Sequence, residues 1–438
     1  MKYILHLFVF LLPFHAVAIT YLQCKEGINT DLLRFWKEII IILLLGIIKI
    51  QLLRKYKGNI WILLKNNSIL GLSIVFILSS FFYVFFPYFE IKTHALLGFK
   101  YDVFFIFTLL IGMYLASVRE NFIPLLKTLF ISTFTVILLF LPWYMSGDIA
   151  KKSELLWYSN QVSTYEAGWC LAYAQNVTGW HNRFQASFGD PIRFSVFLVI
   201  VFILFIWYIL EYQKDLGRNK QFGILGIAGI FFGLSIFYAF TKTSILWGVV
   251  GAILFFYLVR KIIWNQTISR RFMIILGSIV SFFLAVWLYI KKDLFLHPEA
   301  VLGRAENLVI SIEMFFFNPL WYGLWIAGPA SQLATSTDKA LSQWVQKFLP
   351  ENWYVQILLE QWMVWAAIFI SLMIVIGLSL YKIMLRKKDY FSIWIFVAYI
   401  TLCFMANFTH VFEEAATNFI LFLLIWGYIA METKWFRK

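Results

Sequence analysis

Long apolar segments recur from one end of the chain to the other. Most are about 18 residues or longer, which is the length that a helix needs to cross a hydrocarbon core of ~30 Å. They predict twelve membrane spans, at 3–22, 38–53, 69–88, 103–117, 124–145, 193–212, 223–241, 243–262, 271–290, 358–381, 391–408 and 416–432. The pattern indicates an all-α polytopic membrane protein in which residues 1–438 form one integral membrane domain.

The first span has two interpretations. Lys2, the apolar run and the small residues at 16–18 imitate a secretory signal with a cleavage site. The apolar run continues past that point to Leu22, however, and Pro13 lies inside it. We therefore expect a first helix that is retained in the mature protein.

Two of the links between spans are long, and the second has structure of its own. These links cover residues 146–192 and 291–357. In the second link a helix is predicted from about Pro298 to Phe317, because proline suits a first helical turn. The sequence Asn318-Pro319 then ends it, since proline cannot continue a helix and restrains the residue before it.

The predicted loop helix carries its polar residues on two different faces. Helical spacing places Arg304, Asn307 and Ser311 on one face, and Glu306 and Glu313 on nearly the opposite one. The rest of the helix is apolar, which predicts that it packs against the membrane bundle or lies at its surface. Its polar stripe would then present Arg304 to a cavity, and the alternative is a surface ion pair for this arginine.

Composition and charge exclude a soluble protein and argue against nucleic acid. The chain is 62% hydrophobic and 14% charged, where soluble domains have about 25% charged residues. The net charge of +14 is concentrated in short links, at 54–57, 214–220, 260–271 and 386–388, and at the C-terminus. By the positive-inside rule these segments are cytoplasmic. Both termini are then cytoplasmic, both long links are periplasmic, and the expected surroundings are membrane lipid rather than nucleic acid.

Several separated segments share a pattern with one enzyme family. They are Leu11-Leu12-Pro13-Phe14, Arg183 to Pro191, Thr241-Lys242-Thr243-Ser244, Gly303-Arg304 with Asn318 to Gly323, and Asn352 to Glu360. Taken in order, they resemble the O-antigen ligase/O-antigen polymerase family of integral membrane glycosyltransferases. The resemblance covers nearly the whole chain and is strongest over 183–365.

The resemblance implies a reaction and its partners. Such an enzyme moves a glycan from a polyprenyl-diphosphate-linked oligosaccharide donor onto a hydroxyl group of an acceptor, in the bacterial inner membrane. Ligases of the family have histidine where this chain has Glu351, which favours a polymerase, with a chain-length regulator protein as a candidate partner. The alternative is a ligase that transfers the chain to a lipid A-core sugar. Two further departures are Lys242, where arginine is usual, and Trp362 and Trp365, where the family has glycines.

The implied reaction needs cations for the diphosphate of the donor. Arg183 and Arg304 are the catalytic candidates, since the guanidinium group binds phosphate oxygens in pairs and would stabilise the charge of the leaving group. Lys242 and Arg193 are candidate substrate-binding cations. Each of these two also has a simpler interpretation, as a residue that anchors a helix at the membrane interface.

The acceptor hydroxyl needs a base or an orienting group. Glu351 is the catalytic candidate at the matching position, because a carboxylate can accept a hydroxyl proton within hydrogen-bond reach; the alternative is a solvated loop acid. His181 is a rival that titrates near neutral pH. His181, Asn352 and Asn307 are predicted to bind substrate.

No metal and no cofactor is expected, because the chain has no phosphate-binding glycine loop and no metal-ligand spacing of its three cysteines. Two other functions remain open. A transporter or flippase for lipid-linked glycans should carry charges deep within several helices, whereas the only ones expected to be buried are Lys49 and Glu360. A catalytically silent relative that acts as an assembly partner is the third hypothesis.

Overall fold

The structure is a computed structural model of the whole chain. It describes residues 2–22, 26–28, 33, 35–55, 67–85, 92–117, 122–145, 158–159, 172–173, 176–177, 181–182, 184–188, 191–239, 241–265, 298–317, 352–408, 412 and 415–433. The predicted span at 271–290 lies outside these residues, as do most of both long links.

Helices account for nearly all of the described residues. They are α1 Lys2–Leu11, α2 His15–Thr20, α3 Trp36–Lys55, α4 Ser68–Phe85, α5 Lys92–Ser117, α6 Phe122–Met145, α7 Pro191–Trp207, α8 Arg218–Ala239, α9 Lys242–Leu258, α10 Pro298–Phe317, α11 Trp353–Lys387, α12 Tyr390–Met405 and α13 Ala415–Thr433. A 3-10 turn joins α1 to α2, and single π turns extend α7 to Tyr212 and α9 to Ile263. Four two-residue strands, β1 Tyr158–Ser159, β2 Ala172–Tyr173, β3 Asn176–Val177 and β4 His181–Asn182, form two pairs in the first long link.

The predicted fold class is confirmed: the chain is an all-α polytopic membrane protein. Within the described residues, eight helices are long and apolar enough to cross a membrane. Three further predicted spans overlap α3, α5 and α12. The total of twelve spans stays a prediction.

Two helices occupy the centre of the bundle. In α7 and α13, 78% and 83% of the apolar stretch is buried, against 22% in α8 and α9. The closest helix contact is between α5 and α13, because Gly112 leaves no room for a side chain: a Cβ there would lie 2.6 Å from the Cβ of Trp426. Ring contacts such as Phe104 to Phe419, at 4.6 Å between centroids, continue this interface.

The membrane-crossing helices of the described residues alternate in direction, so that α3, α5, α7, α9, α11 and α13 begin at one end of the bundle. Contacts between helix starts establish this: Lys100 of α5 pairs with Glu38 of α3 at 2.9 Å, and Ser195 of α7 lies 2.6 Å from Ser244 of α9. Both long links lead into helices that begin here, so we call it the long-loop end. The opposite end carries the basic residues of α8, α9 and α11, and there Lys387 pairs with Glu432 at 2.9 Å. This separation matches the charge pattern behind the predicted orientation.

Candidate functional site

The described residues include part of the predicted site. The structure describes the side chains of Arg193, Asn307 and Asn352, and the backbone of Arg304, Lys242 and His181. Glu351 and Arg183 lie outside the described residues, so their predicted catalytic roles stay predictions. The helices that carry the other described positions place them at the long-loop end. His181 is not placed in this way, because its two-residue strand is paired only with Asn176–Val177.

A chain of hydroxyl groups joins the starts of α7 and α9. The Thr241 hydroxyl donates to the Ser195 hydroxyl over 2.6 Å, and Ser195 lies 2.6 Å from the hydroxyl of Ser244. All three are buried. This hydroxyl seam brings the first turn of α7, with the half-buried Arg193, beside the first turn of α9, which begins at Lys242. Two of the predicted cations therefore stand on neighbouring helix starts.

A tight turn at residues 184–188 lies against the same region. The backbone N–H of Phe184 donates to the carbonyl of Tyr238, near the end of α8, over 2.9 Å. The Ser187 hydroxyl donates over 2.7 Å to the carbonyl of Pro13, between α1 and α2. Ala186 within the turn has a φ of 50°, a conformation that non-glycine residues adopt at a cost. The turn thus connects two of the segments that carry the family resemblance.

The predicted loop helix is confirmed as α10, and it packs on the first turns of α11. Met314 and Phe315 of α10 pack against Leu359 of α11, and Val355 of α11 packs against the same leucine. Ser311, one turn earlier on α10, is fully buried. The packed side of α10 is therefore the side that carries its predicted polar stripe.

The rest of α10 agrees with this orientation. Asn307 is half-buried, and its carbonyl accepts a hydrogen bond from the Ser311 hydroxyl over 2.6 Å. Glu306 and Glu313 are exposed, as expected of the opposite face. Helical spacing places Arg304 seven residues before Ser311, on the packed face. The prediction that α10 packs against the bundle is confirmed.

Asn352 has a structural role that sequence reasoning did not assign. Its side-chain oxygen accepts from the backbone N–H groups of Tyr354, over 2.9 Å, and Val355, over 3.2 Å. It is therefore the N-cap of α11, where asparagine is among the preferred residues. Any contact with substrate would fall to its amide nitrogen.

The end of α12 connects the two groups of residues. The backbone N–H of Trp353, the first residue of α11, donates to the carbonyl of Ala406 over 2.8 Å. Two residues before Ala406, the Phe404 ring stacks on Trp247 of α9 with centroids 4.9 Å apart. The α10–α11 contact and the hydroxyl seam thus lie on either side of one helix end.

A second polar group, which sequence reasoning missed, joins α4, α5 and α11. The Gln361 amide donates to Asp102 over 2.6 Å and its carbonyl oxygen accepts from the Ser80 hydroxyl over 2.9 Å. Glu360 accepts from the Gln356 amide over 3.3 Å and also interacts with Asp102. All five side chains are buried. We call this group the carboxyl seam.

The distribution of buried charge differs from the expectation in two respects. Lys49 is exposed, so the prediction that it is buried is wrong. Besides Glu360, the structure buries Asp102, Glu38 and Lys37, with Glu38 paired to Lys100. The described residues thus bury more charged side chains than the sequence predicted. The argument against a transporter, which relied on few buried charges, is weaker as a result.

Comparison with known proteins supplies no relative: no family model matches this chain, and no curated protein is similar enough to be reported. Function must therefore be argued from the residues of the chain itself.

Proposed function

We propose that this protein is a glycosyltransferase of the bacterial inner membrane. It would join a polyprenyl-diphosphate-linked glycan to an acceptor hydroxyl on the periplasmic side, and would act as an O-antigen polymerase. The diphosphate ester of the donor is itself the activated bond, so the transfer needs no further source of energy. The glycan leaves the carrier oxygen, the acceptor oxygen takes its place, and the acceptor proton passes to a base.

The packing of α10 on α11 is the observation that carries this proposal. A phosphate-binding arginine and a proton acceptor must lie close together for the transfer. The packed face of α10, to which Arg304 belongs, meets the part of α11 that follows directly on Glu351-Asn352. This packing supports the proposal that Arg304 and Glu351 serve as cation and base at the same end of the bundle.

The neighbouring helix starts supply a second reason. The first turns of α7 and α9 direct the positive ends of their helix dipoles to the long-loop end. Arg193 and Lys242 belong to those same turns. Helix starts of this kind are ready-made sites for phosphate groups, which suits a diphosphate donor.

Two alternatives remain, and a specific observation favours only one of them. A ligase acting on a lipid A-core sugar would use the same elements, and nothing in the described residues separates it from a polymerase. A transporter for lipid-linked glycans gains support from the carboxyl seam, since buried acidic side chains in membrane proteins often mark ion or proton pathways.

The test is the electrophoretic profile of lipopolysaccharide from source cells that lack the gene, complemented with the wild type or with Arg304→Ala. Wild-type lipopolysaccharide with polymerised O-antigen gives a ladder of bands. Collapse of this ladder to core plus a single repeat identifies a polymerase. Loss of all capped core, while long chains still accumulate on the carrier, identifies a ligase. We expect Arg304→Ala to lower product at least about tenfold, because one charge-assisted contact to phosphate is lost.

Glu313→Ala is the matched control, since Glu313 is exposed on the other side of the same helix. It should restore the wild-type profile. A deletion strain with an unchanged profile would refute the proposal, and equal loss with both variants would show that α10 matters only for folding.

A further inference from the structure

Gln185 is the one buried glutamine of the described residues whose amide has no partner. The side chain is 5% exposed, and neither its nitrogen nor its oxygen makes a hydrogen bond. An unsatisfied buried amide is destabilising, so native structures contain few of them, and each requires an explanation.

The other buried glutamines show how unusual this is. Gln221 donates to the carbonyls of Ile209, over 3.1 Å, and Gln213, over 2.8 Å. Gln361 uses both ends of its amide in the carboxyl seam, and Gln356 donates to Glu360. Among the buried glutamines that the structure describes, Gln185 is therefore the exception.

Hydrogen bonds fix the backbone around Gln185, although its side chain makes none. The carbonyl of Gln185 accepts from the N–H of Phe188 over 3.0 Å, and the next residue, Ala186, has the left-handed φ of 50°. The turn is tied on both sides, through Phe184 to α8 and through Ser187 to Pro13. Backbone strain that is fixed in this way is typical of positions that hold a ligand.

The chemistry of the position identifies the kind of ligand. A carboxamide presents one donor group and one acceptor group without charge. A diphosphate offers only acceptors, so it would leave the amide oxygen unsatisfied. Neighbouring hydroxyls or an acetamido group of a sugar would satisfy both ends. The neighbouring side chains of the turn offer no polar partner, since Phe184 and Phe188 are buried and each packs on Phe194.

We propose that Gln185 is a sugar-binding residue that contacts the glycan of the lipid-linked donor. This inference rests on the proposed function and deepens it, since it separates recognition of the sugar from recognition of the diphosphate. At this depth the amide would pair with its ligand away from competing water, which strengthens a neutral hydrogen bond.

The experiment compares Gln185→Met, which keeps the length of the side chain, with the matched control Gln221→Met. Thermal unfolding of each purified protein is followed alone, with sugar-free polyprenyl diphosphate, and with lipid-linked oligosaccharide from source cells that lack the gene. For Gln185→Met we expect an unchanged or higher midpoint without lipid, and an unchanged response to the sugar-free carrier. Its affinity for the glycan-bearing lipid should fall about five- to tenfold, as one or two neutral hydrogen bonds are lost.

Gln221→Met should show the reverse: a lower midpoint without lipid, because satisfied bonds are lost, and a wild-type affinity for both lipids. A midpoint of Gln185→Met that falls as far as that of Gln221→Met, or glycan binding at the wild-type affinity, would overturn the inference and leave the proposed function standing. A wild-type protein that responds to neither lipid would refute the proposed function itself.

Discussion

The hydroxyl seam and the carboxyl seam both join helices at the long-loop end, but they use different chemistry. In the hydroxyl seam, Thr241, Ser195 and Ser244 are neutral, and they lie 2.6 Å apart along the chain of bonds. In the carboxyl seam, two buried acids interact with each other, and each also accepts a hydrogen bond from an amide.

The difference separates two reasons for burying polar groups. A satisfied neutral chain contributes a modest stabilisation and fixes how two helices approach each other. A buried carboxyl group is far more expensive, and apolar residues of the same volume are often as stable or more so. We therefore expect the hydroxyl seam to serve the fold and the carboxyl seam to serve the function as well.

The largest effect on stability should come from Gln361→Leu. This change leaves a carboxylate oxygen of Asp102 and the hydroxyl of Ser80 without their partner, and we expect a loss of about 3 kcal/mol in the free energy of unfolding. Titration with a denaturing detergent measures it. Met363→Leu, at an exposed position nearby, should change the value by less than about 0.5 kcal/mol. Similar values for both would show that Gln361 does not hold the seam together.

A smaller loss is expected for Ser195→Ala, which removes the middle member of the hydroxyl seam. The two hydroxyls on either side lose a partner, so we expect about 1–2 kcal/mol by the same titration. Thr135→Ala is the control, because the hydroxyl of this half-buried threonine bonds only to the carbonyl of Ile131 in its own helix. If Ser195→Ala costs as much as Gln361→Leu, the contrast between the seams is wrong.

The smallest effect on stability, and the most informative, should come from Asp102→Asn. Asparagine can still accept from Gln361, so we expect a change within about 1 kcal/mol. It cannot take up a proton, however, and product formation should fall at least about tenfold if the carboxyl pair takes part in proton transfer. The exposed Asp215→Asn is the control. Full activity of Asp102→Asn would show that the carboxyl seam has a structural role only.

The helices could be predicted from the sequence because length, hydropathy and proline determine them locally. The bounds of α10 were predicted correctly, since Pro298 and Asn318-Pro319 mark both of its ends. The packed face of α10 followed from the spacing of Arg304, Asn307 and Ser311. The role of Asn352 as a cap could also have been found, because asparagine directly before a helix is a known capping signal.

The carboxyl seam could not be predicted in the same way. Its bonds join residues that are 259 and 281 positions apart, and no local pattern contains that pairing. Hydropathy also placed the fourth span at 103–117, whereas α5 begins at Lys92. Asp102 was therefore placed just outside the membrane helix, although it lies buried within α5. Apolar length identifies the part of a helix that crosses the membrane, and not the polar turns that extend it.

One feature of α11 bears on where the proposed reaction would take place. The helix has 35 residues and is therefore about 52 Å long, but only its last 25 form the apolar stretch. The remaining ten residues, about 15 Å of helix, are packed among neighbouring helices, with Trp353 bonded to the end of α12 and Gln361 bonded to α4 and α5. The α10 contact lies on these turns, so its position relative to the apolar stretch is set by one uninterrupted helix. In the proposed reaction, a carrier lipid could then be used at the membrane surface while its tail stays in the bilayer.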